Sequence, residues 1–402
     1  MLEPTRLKIC RRLTQRGAIS LTFILLFIEF YDEFVYAVGY SARPALRGDL
    51  GLSYAQVGLL LGFPHLINTI IEPVLMLLGD TRLRKWLVLG GGAGMALSAI
   101  LIAGAQAFPI VLLAEILSFP SSGAFVTLSQ ATLMDLNPGR EPHSMARWSA
   151  SGSLANLIAP LLVAGGFGLA LGWRWAYGFV GVWGLVLTLI VWRRPFPKRS
   201  EFQPHKETAA IMELTRGLWE AMRNTRLLRW MVLLEMSDLL LDIFTGYASL
   251  YFADVVGLSG AQTGVVLSLM MLAGLAADLA LIPLLEKFNG RTIVRLSASI
   301  AVPLYVAFLL VPWPLAKIGL VLALRLATLG WYPVMEGEAY ASVPGHSGTV
   351  KAISSLSGLA AGAMIWFLGW FAGQAGLQTA MWLLLAGPVC LLLFVPVVES
   401  VQ

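Results

Sequence analysis

Apolar residues recur along this chain in runs of about 18–25 residues separated by short polar breaks, the length that carries an α-helix across a bilayer. Twelve such spans are predicted, at about 18–42, 54–79, 86–106, 109–135, 147–170, 175–193, 228–252, 260–285, 292–312, 316–341, 353–372 and 379–398. One long polar segment, 194–227, interrupts the series. It reads as a linker with a helix over 207–224 lying along the membrane surface. The expected fold is all-α and membrane-spanning: twelve transmembrane helices in two parallel six-helix bundles, 1–193 and 228–402, joined by that linker.

The pattern also repeats. GLSYAQVGLLL at 51–61 returns as GLSGAQTGVVL at 257–267, a shift of 206 residues. The same shift pairs Glu29 with Glu235, Asp32 with Asp238, Glu72 with Asp278, Asp80 with Glu286, and Pro138-Gly139 with Pro344-Gly345. One ungapped offset that aligns loops and rare acids is not a chance match of a short motif. Each half holds six spans, so both halves enter the membrane in the same sense. Such a parallel repeat places a binding site between the halves near the midplane.

Composition supports the bilayer reading: 57% of the 402 residues are hydrophobic and 13% charged, with mean hydropathy +0.76. A soluble domain carries about 25% charged residues. The net charge of +5 could suggest nucleic acid. All but five of the 28 Lys and Arg (Arg43, Arg47, Arg174, Lys317 and Arg325) fall in segments on one side, which instead puts both termini in the cytoplasm of a cell (plasma or inner) membrane. The basic start, TRLKICRRLTQR, precedes a span too long and too acidic for a signal-peptide core, so it is expected to lead a retained first helix. Cys10 and Cys390 show neither a disulfide framework nor metal-ligand spacing. There is no GxxxxGK[ST] loop for ATP, and no HExxH, CxxC or nucleophile elbow, so neither an enzyme nor a cofactor is expected.

The twelve spans, the central linker, the six-plus-six repeat and the charged loops GDTRLRK (79–85) and EKFNGR (286–291) resemble the major facilitator superfamily of transporters over essentially the whole chain. The two loops are similar to the family's G-x-x-x-D-R-x-G-R-R loop. The resemblance implies that Asp80 and Glu286 sit at helix ends and pair with basic groups to latch an inner gate, which would comprise Asp80, Arg84, Glu286 and Arg291. Otherwise these basic residues serve only topology. PALRGDLGLS (44–53), EPVLMLLGD (72–80) and SGSLANLIAPLL (151–162) are also similar to fosmidomycin-resistance-type efflux proteins. The fifth span departs from the proton-antiporter signature, with Ala159 before Pro160 where glycine is expected.

Charged side chains mid-membrane cost about 2.5–3.5 kcal/mol each on insertion scales, so acids there should face a wet interior. In the first span Glu29, Asp32, Glu33 and Tyr36 share a broad helical face; in the seventh Glu235, Asp238 and Asp242 form a stripe. The two faces are expected to confront each other. Several carboxylates in a low dielectric cannot all stay ionised, which suits proton carriage, led by Asp32 and Asp238. His65, Asn68 and Glu72 line one face of the second span, answered by Asp278 in the eighth. A histidine there could join a relay or simply pack. In the fourth span Glu115 precedes the break FPSSGAF (119–125). In the tenth, Pro333 should kink the helix, Glu336 and Glu338 lie on different faces, and Arg325 could neutralise an acid, bind an anionic solute or snorkel outward.

The acids, with aromatics such as Phe30, Tyr31, Phe34, Phe244, Tyr247, Trp331 and Tyr332, favour a cationic or amphipathic organic solute through charge and cation–π contact. Ordinary packing accounts equally for most of these rings. The expected function is proton-coupled alternating-access export of such a compound by a monomer, its partners being the solute, protons and the bilayer. A proton-coupled importer, a divalent-metal carrier with the acids as hard oxygen ligands, and a receptor without solute flux remain as alternatives.

Overall fold

A computed structural model describes residues 3–79, 82–136, 141–196, 224–342 and 347–396. Asp80, most of the linker with its expected helix over 207–224, and both Pro-Gly turns lie outside the described residues. Among the described residues there is no strand. The first half comprises α1 (Glu3–Leu50), α2 (Tyr54–Gly79), α3 (Arg84–Ala103), α4 (Phe108–Ser122), α5 (Leu128–Leu136), α6 (Glu141–Gly168) and α7 (Gly172–Trp192). The second comprises α8 (Thr225–Asp238), α9 (Phe244–Leu250), α10 (Gly260–Leu285), α11 (Gly290–Leu310), α12 (Pro314–Ala327), α13 (Trp331–Ala341), α14 (Ser347–Ala375), α15 (Leu377–Met381) and α16 (Ala386–Phe394). Nine stretches among the described residues are long and apolar enough to cross a membrane, and a shorter apolar helix covers Leu359–Ala375.

Helix boundaries recur at the spacing of the sequence repeat. Tyr54 and Gly260, Arg84 and Gly290, and Phe108 and Pro314 each begin a helix, 206 residues apart. The turn GLS explains one recurrence. Gly51 and Gly257 both take positive φ, +62° and +80°, where a Cβ would be strained. Ser53 and Ser259 then cap α2 and α10 reciprocally with Gln56 and Gln262, so each S-x-x-Q is a capping box.

Packing between the halves obeys the same spacing. α2 packs on α14, and α10 packs on α6. A Cβ on Gly58 would meet the Trp366 carbonyl oxygen at 3.0 Å, and one on Gly264 the Pro160 carbonyl oxygen at 2.6 Å. Gly58 and Gly264 are 206 residues apart, as are Pro160 and Trp366, so the two contacts are one contact made twice. Small residues let helix backbones approach this closely in a membrane, where packing rather than water exclusion drives association.

Four spans depart from regularity. α1 continues well past the expected limit at 42, through Pro44, because Arg43 and Arg47 are used in contacts across the bundle rather than released to a loop. π-helical turns at Gly123–Thr127, Leu239–Ile243 and Tyr251–Val255 interrupt the fourth and seventh spans; such turns concentrate at functional sites. The tenth span breaks earlier than expected. α12 stops at Ala327, Gly330 takes φ +75°, and α13 restarts at Trp331. Pro333 therefore sits in a first helical turn, where its missing N–H costs nothing.

Most of the aromatics expected near a site are core. Phe30, Tyr31 and Phe34 pack on Trp183, and Phe244 on Tyr305 and Phe308. Trp331 donates its indole N–H to Ser297 Oγ at 2.7 Å. Lys317 caps the end of α11, donating to Phe308 O at 2.6 Å and to Tyr251 Oη at 2.8 Å.

Candidate functional site

A cavity of about 550 Å³ lies between the two sets of helices. A second, of about 590 Å³, adjoins it through shared walls at Asn156, Asp238, Asp242, Met271 and Arg325, and reaches Asp278 on α10 and Tyr332 on α13. From the first half the larger charged and aromatic lining groups are Glu33, Tyr36, Tyr40 and Arg43 on α1, His65 on α2, Glu115 and Phe119 on α4, and Tyr177 on α7. From the second they are Asp238, Asp242, Tyr247 and Arg325.

The lining follows the repeat. Tyr36 and Asp242, Gly39 and Thr245, Tyr40 and Gly246, His65 and Met271, and Phe119 and Arg325 are pairs 206 apart, and every member faces the first cavity. The geometry is shared but the chemistry is not. One half presents rings: His65 stands edge-on to Phe119 with centroids 4.5 Å apart, and Phe119 meets Tyr36 at 5.7 Å. The matching positions of the other half present a carboxylate and a guanidinium.

The acids of α1 divide. Glu33 faces the cavity and accepts from Asn156 Nδ2 at 2.7 Å, and Asn156 Oδ1 accepts from the Tyr40 hydroxyl at 2.6 Å. Asp32 is 7% exposed, does not line the cavity, and accepts from Ser122 Oγ at 2.8 Å at the edge of the π-turn of the fourth span. Glu29 is buried against α6, where a Cβ on Gly152 would meet its carboxylate at 2.9 Å. In the seventh span the π-turn Leu239–Ile243 joins Asp238 to Asp242; both line both cavities, whereas Glu235 is buried outside them. The expected stripe of three is thus a cavity-facing pair.

On α2, Asn68 Nδ2 donates to Glu72 at 2.9 Å, and Glu72 lies against Gly123 of the π-turn; neither lines the cavity that His65 lines. Arg325 donates from Nη1 to Leu241 O at 3.4 Å, a long bond, and its buried Nε has no partner. Gly274 makes room for it: a Cβ there would meet Nη2 at 3.1 Å. Glu336 lines neither cavity.

Of the expected gate groups, Asp80 lies outside the described residues, and Arg84 and Arg291 each hold an acid of the following span. Arg84 pairs with Asp135 at 2.7 Å, and Arg291 pairs with Glu338 through two bonds of 2.6 Å. Each clamp ties the start of a span-three-type helix to the end of the span that follows it. Glu286 is exposed and has no ion pair among the described residues. A further set closes the bundle at the far end of α1: Arg47 to Asp254 at 2.6 Å, the Tyr54 hydroxyl to Asp254 at 2.9 Å, and Arg43 to Gly246 O at 2.8 Å.

Arg43, Tyr40, Asn156, Phe119 and Tyr177 are lining groups that patterning missed. Arg43 looked like a loop cation. Asn156 sat within a stretch singled out only for its resemblance. Phe119 could have been found by subtracting 206 from Arg325. Among the described residues no three His, Cys, Asp or Glu side chains converge as metal ligands would, so the divalent-ion alternative gains no support.

The fold has many relatives of known structure. A bacterial homolog of the human lysosomal transporter Spinster, inward-facing and unoccupied, superposes with TM-score 0.73 at 16% identity, over 94% of this chain and 95% of that one. The nucleoside transporter NupG gives 0.72 at 12% identity, over 92% and 97%. The peptide transporter POT in complex with sulfate gives 0.71 at 17% identity, over 94% and 97%. At these identities the likeness shows the fold alone. No curated protein matches the chain. The family model for the Major Facilitator Superfamily matches residues 22–335, most of the chain, and with the helical architecture this makes the protein a member of that superfamily of membrane transporters.

Proposed function

We propose that this protein is a proton-coupled secondary transporter that exports a small organic solute bearing a cationic group, by alternating access between two six-helix bundles. The observation that carries the reading is one cavity that both halves line at positions 206 residues apart and to which both halves, independently of that pairing, contribute carboxylates: Glu33 and Glu115 from the first, Asp238 and Asp242 from the second. A chamber on a pseudo-two-fold axis is what a parallel repeat needs in order to rock about a fixed site. The repeated contacts of α2 with α14 and of α10 with α6 support two bundles related in that way.

With both termini in the cytoplasm, the Arg47–Asp254 end lies outside and the second cavity extends inward. The arrangement is then that of a transporter closed outside and accessible from inside. Clamps at Arg84–Asp135 and Arg291–Glu338 hold each half rigid as it moves. Glu33, Glu115, Asp238 and Asp242 outnumber Arg43 and Arg325 around the chamber, which favours cations. A cation and a proton compete for the same carboxylates, so loading one expels the other and the coupling is exchange.

The test is made in proteoliposomes containing a pH dye and an imposed proton gradient. An organic cation that the wild type carries should dissipate the gradient, and the Glu33→Gln/Asp238→Asn double variant should no longer exchange it for protons. Gradient-driven flux that persists unchanged in the double variant would remove proton coupling by these acids.

A further inference from the structure

Resting on that reading, the chamber's chemistry narrows the solute further. The two halves offer equivalent positions with opposite characters. Tyr36, His65 and Phe119 form an interlocked ring cluster on one wall. Their repeat partners on the facing wall are Asp242, Met271 and Arg325.

The polar wall has unused valence. A guanidinium carries five N–H donors. Arg325 commits one, weakly, to Leu241 O, and its buried Nε is unpartnered. Asp238 and Asp242, which share both cavities with it, make no hydrogen bond or ion pair with any described residue. The groups acting electrostatically on Arg325 are Asp242 and Asp278 from its own half and Tyr40 from the other, none of them within ion-pair distance. Asp242 is open to the chamber, Asp238 and Arg325 are half-buried, and all three keep empty bonding positions that a solute displacing the chamber's water must fill. The ligand that completes both signs carries both signs itself. Arg43 is a poorer anion seat because its Nη1 already closes onto Gly246 O.

We propose that the chamber binds an amphipathic zwitterion, with its cationic group on Asp238 and Asp242, its anionic group on Arg325, and an aromatic or apolar body against Tyr36, His65 and Phe119. A carboxylate or phosphate would meet the fork of Arg325 through two parallel charge-assisted bonds. The ring wall would hold a flat body by edge and face contacts. The cavity, at about 550 Å³, lies in the range of small-molecule sites.

The test uses probes that differ by one feature: phenylalanine (ring and both charges), phenethylamine (ring and cation), 3-phenylpropionate (ring and anion) and 4-aminobutyrate (both charges, no ring). Binding is read as the concentration dependence of the melting temperature of the purified full-length protein. Phenylalanine should bind at least tenfold more tightly than each of the other three. Arg325→Gln should erase its advantage over phenethylamine while leaving phenethylamine binding within about twofold of wild type. Phe119→Ala should erase its advantage over 4-aminobutyrate. Should Arg325→Gln fail to fold, Arg325→Lys, which keeps the charge and loses the fork, should reduce the advantage several-fold. The proposal is overturned if phenethylamine binds as tightly as phenylalanine, if no probe binds, or if the preference survives Arg325→Gln. Proton-coupled flux of phenethylamine without a zwitterion preference would sink this inference and leave the transport reading standing.

Discussion

Arg47 Nη1 lies 2.6 Å from Asp254 Oδ2, joining the end of α1 to the π-turn that ends the seventh span. The pair is about one quarter exposed on each side chain, and the Arg47 guanidinium also stacks over the Tyr54 ring at 4.0 Å. Tyr54 donates to the same Asp254 oxygen. Two residues of the first half, Arg47 and Tyr54, therefore converge on one carboxylate of the second, 206 residues from Gly48, where the repeat offers no counterpart charge. In an alternating-access cycle this contact must break each time the chamber opens on that side.

Charge reversal at this latch should favour the open form. Asp254→Arg is expected to lower the maximal transport rate about tenfold, and the exchanged pair Arg47→Asp/Asp254→Arg should recover most of it. A partly exposed bidentate-capable pair supplies about 1 kcal/mol or somewhat more. Equal loss in the single and the exchanged variant, measured as initial rates in proteoliposomes, would mean the pair is not a latch.

The glycine contact of α2 with α14 offers an independent handle on the same closure. A Cβ on Gly369 would sit 2.5 Å from Gly58 Cα and 2.7 Å from Tyr54 O, which are backbone atoms with no rotamer to give. Gly369→Val should therefore wedge these helices apart, an overpacking cost of about 1–3 kcal/mol. In sealed vesicles of one orientation, a single cysteine at position 245, which lines the chamber, should become several-fold more reactive to an impermeant maleimide from the Arg47 side. Unchanged reactivity would show that the contact can be lost without opening the chamber.

Asn156 bridges Tyr40 and Glu33, the only described polar link from α6 to the chamber face of α1. Asn156→Leu leaves the half-buried Glu33 carboxylate and Tyr40 hydroxyl without their partner, a cost of about 1 kcal/mol. The expected result is a lower melting temperature and transport reduced about tenfold, with Asn156→Gln intermediate. Full activity in Asn156→Leu would place Glu33 outside the working set.

At the end of α1, beyond its apolar stretch, Asp49 accepts from Arg174 and from Trp173 Nε1. The Arg174 hydrogen bond holds its carboxyl below the usual carboxylate range. A depressed pKa in the folded state means stabilisation that is whole above the unfolded carboxylate range and fades as pH falls through it and below. The wild-type melting temperature should therefore drop between pH 6 and pH 3 by more than that of Asp49→Asn, which lacks the group. Parallel curves for the two proteins would remove Asp49 from the acid response.

Much of this architecture was legible in the chain itself. The limits 54–79 and 260–285 match the helices because a hydrophobic run bounded by a capping box has one way to start and a fixed length to span. The repeat was legible because turn chemistry, Gly51 and Gly257 with positive φ, survives where side chains on helix faces drift. Helical spacing also put Asp238 and Asp242 on one stripe. It could not tell them from Glu235, which the same stripe includes and the packing buries elsewhere.

What sequence alone determined, then, is which residues share a helix and a face, because 3.6-residue periodicity and caps are local. Only the tertiary structure decided which faces meet. Arg43 and Arg47 read only as exceptions to the one-sided charge count, whereas in the fold α1 continues through them and they reach Gly246 and Asp254. Arg84 and Arg291 read as members of charged loops, and only the structure shows them reaching Asp135 and Glu338 at the ends of the following spans. In a bilayer every helix has an apolar surface, so hydrophobicity does not say which side turns inward. Close contacts such as Gly58 on the Trp366 backbone make that choice, and they exist only once two helices distant in sequence have packed.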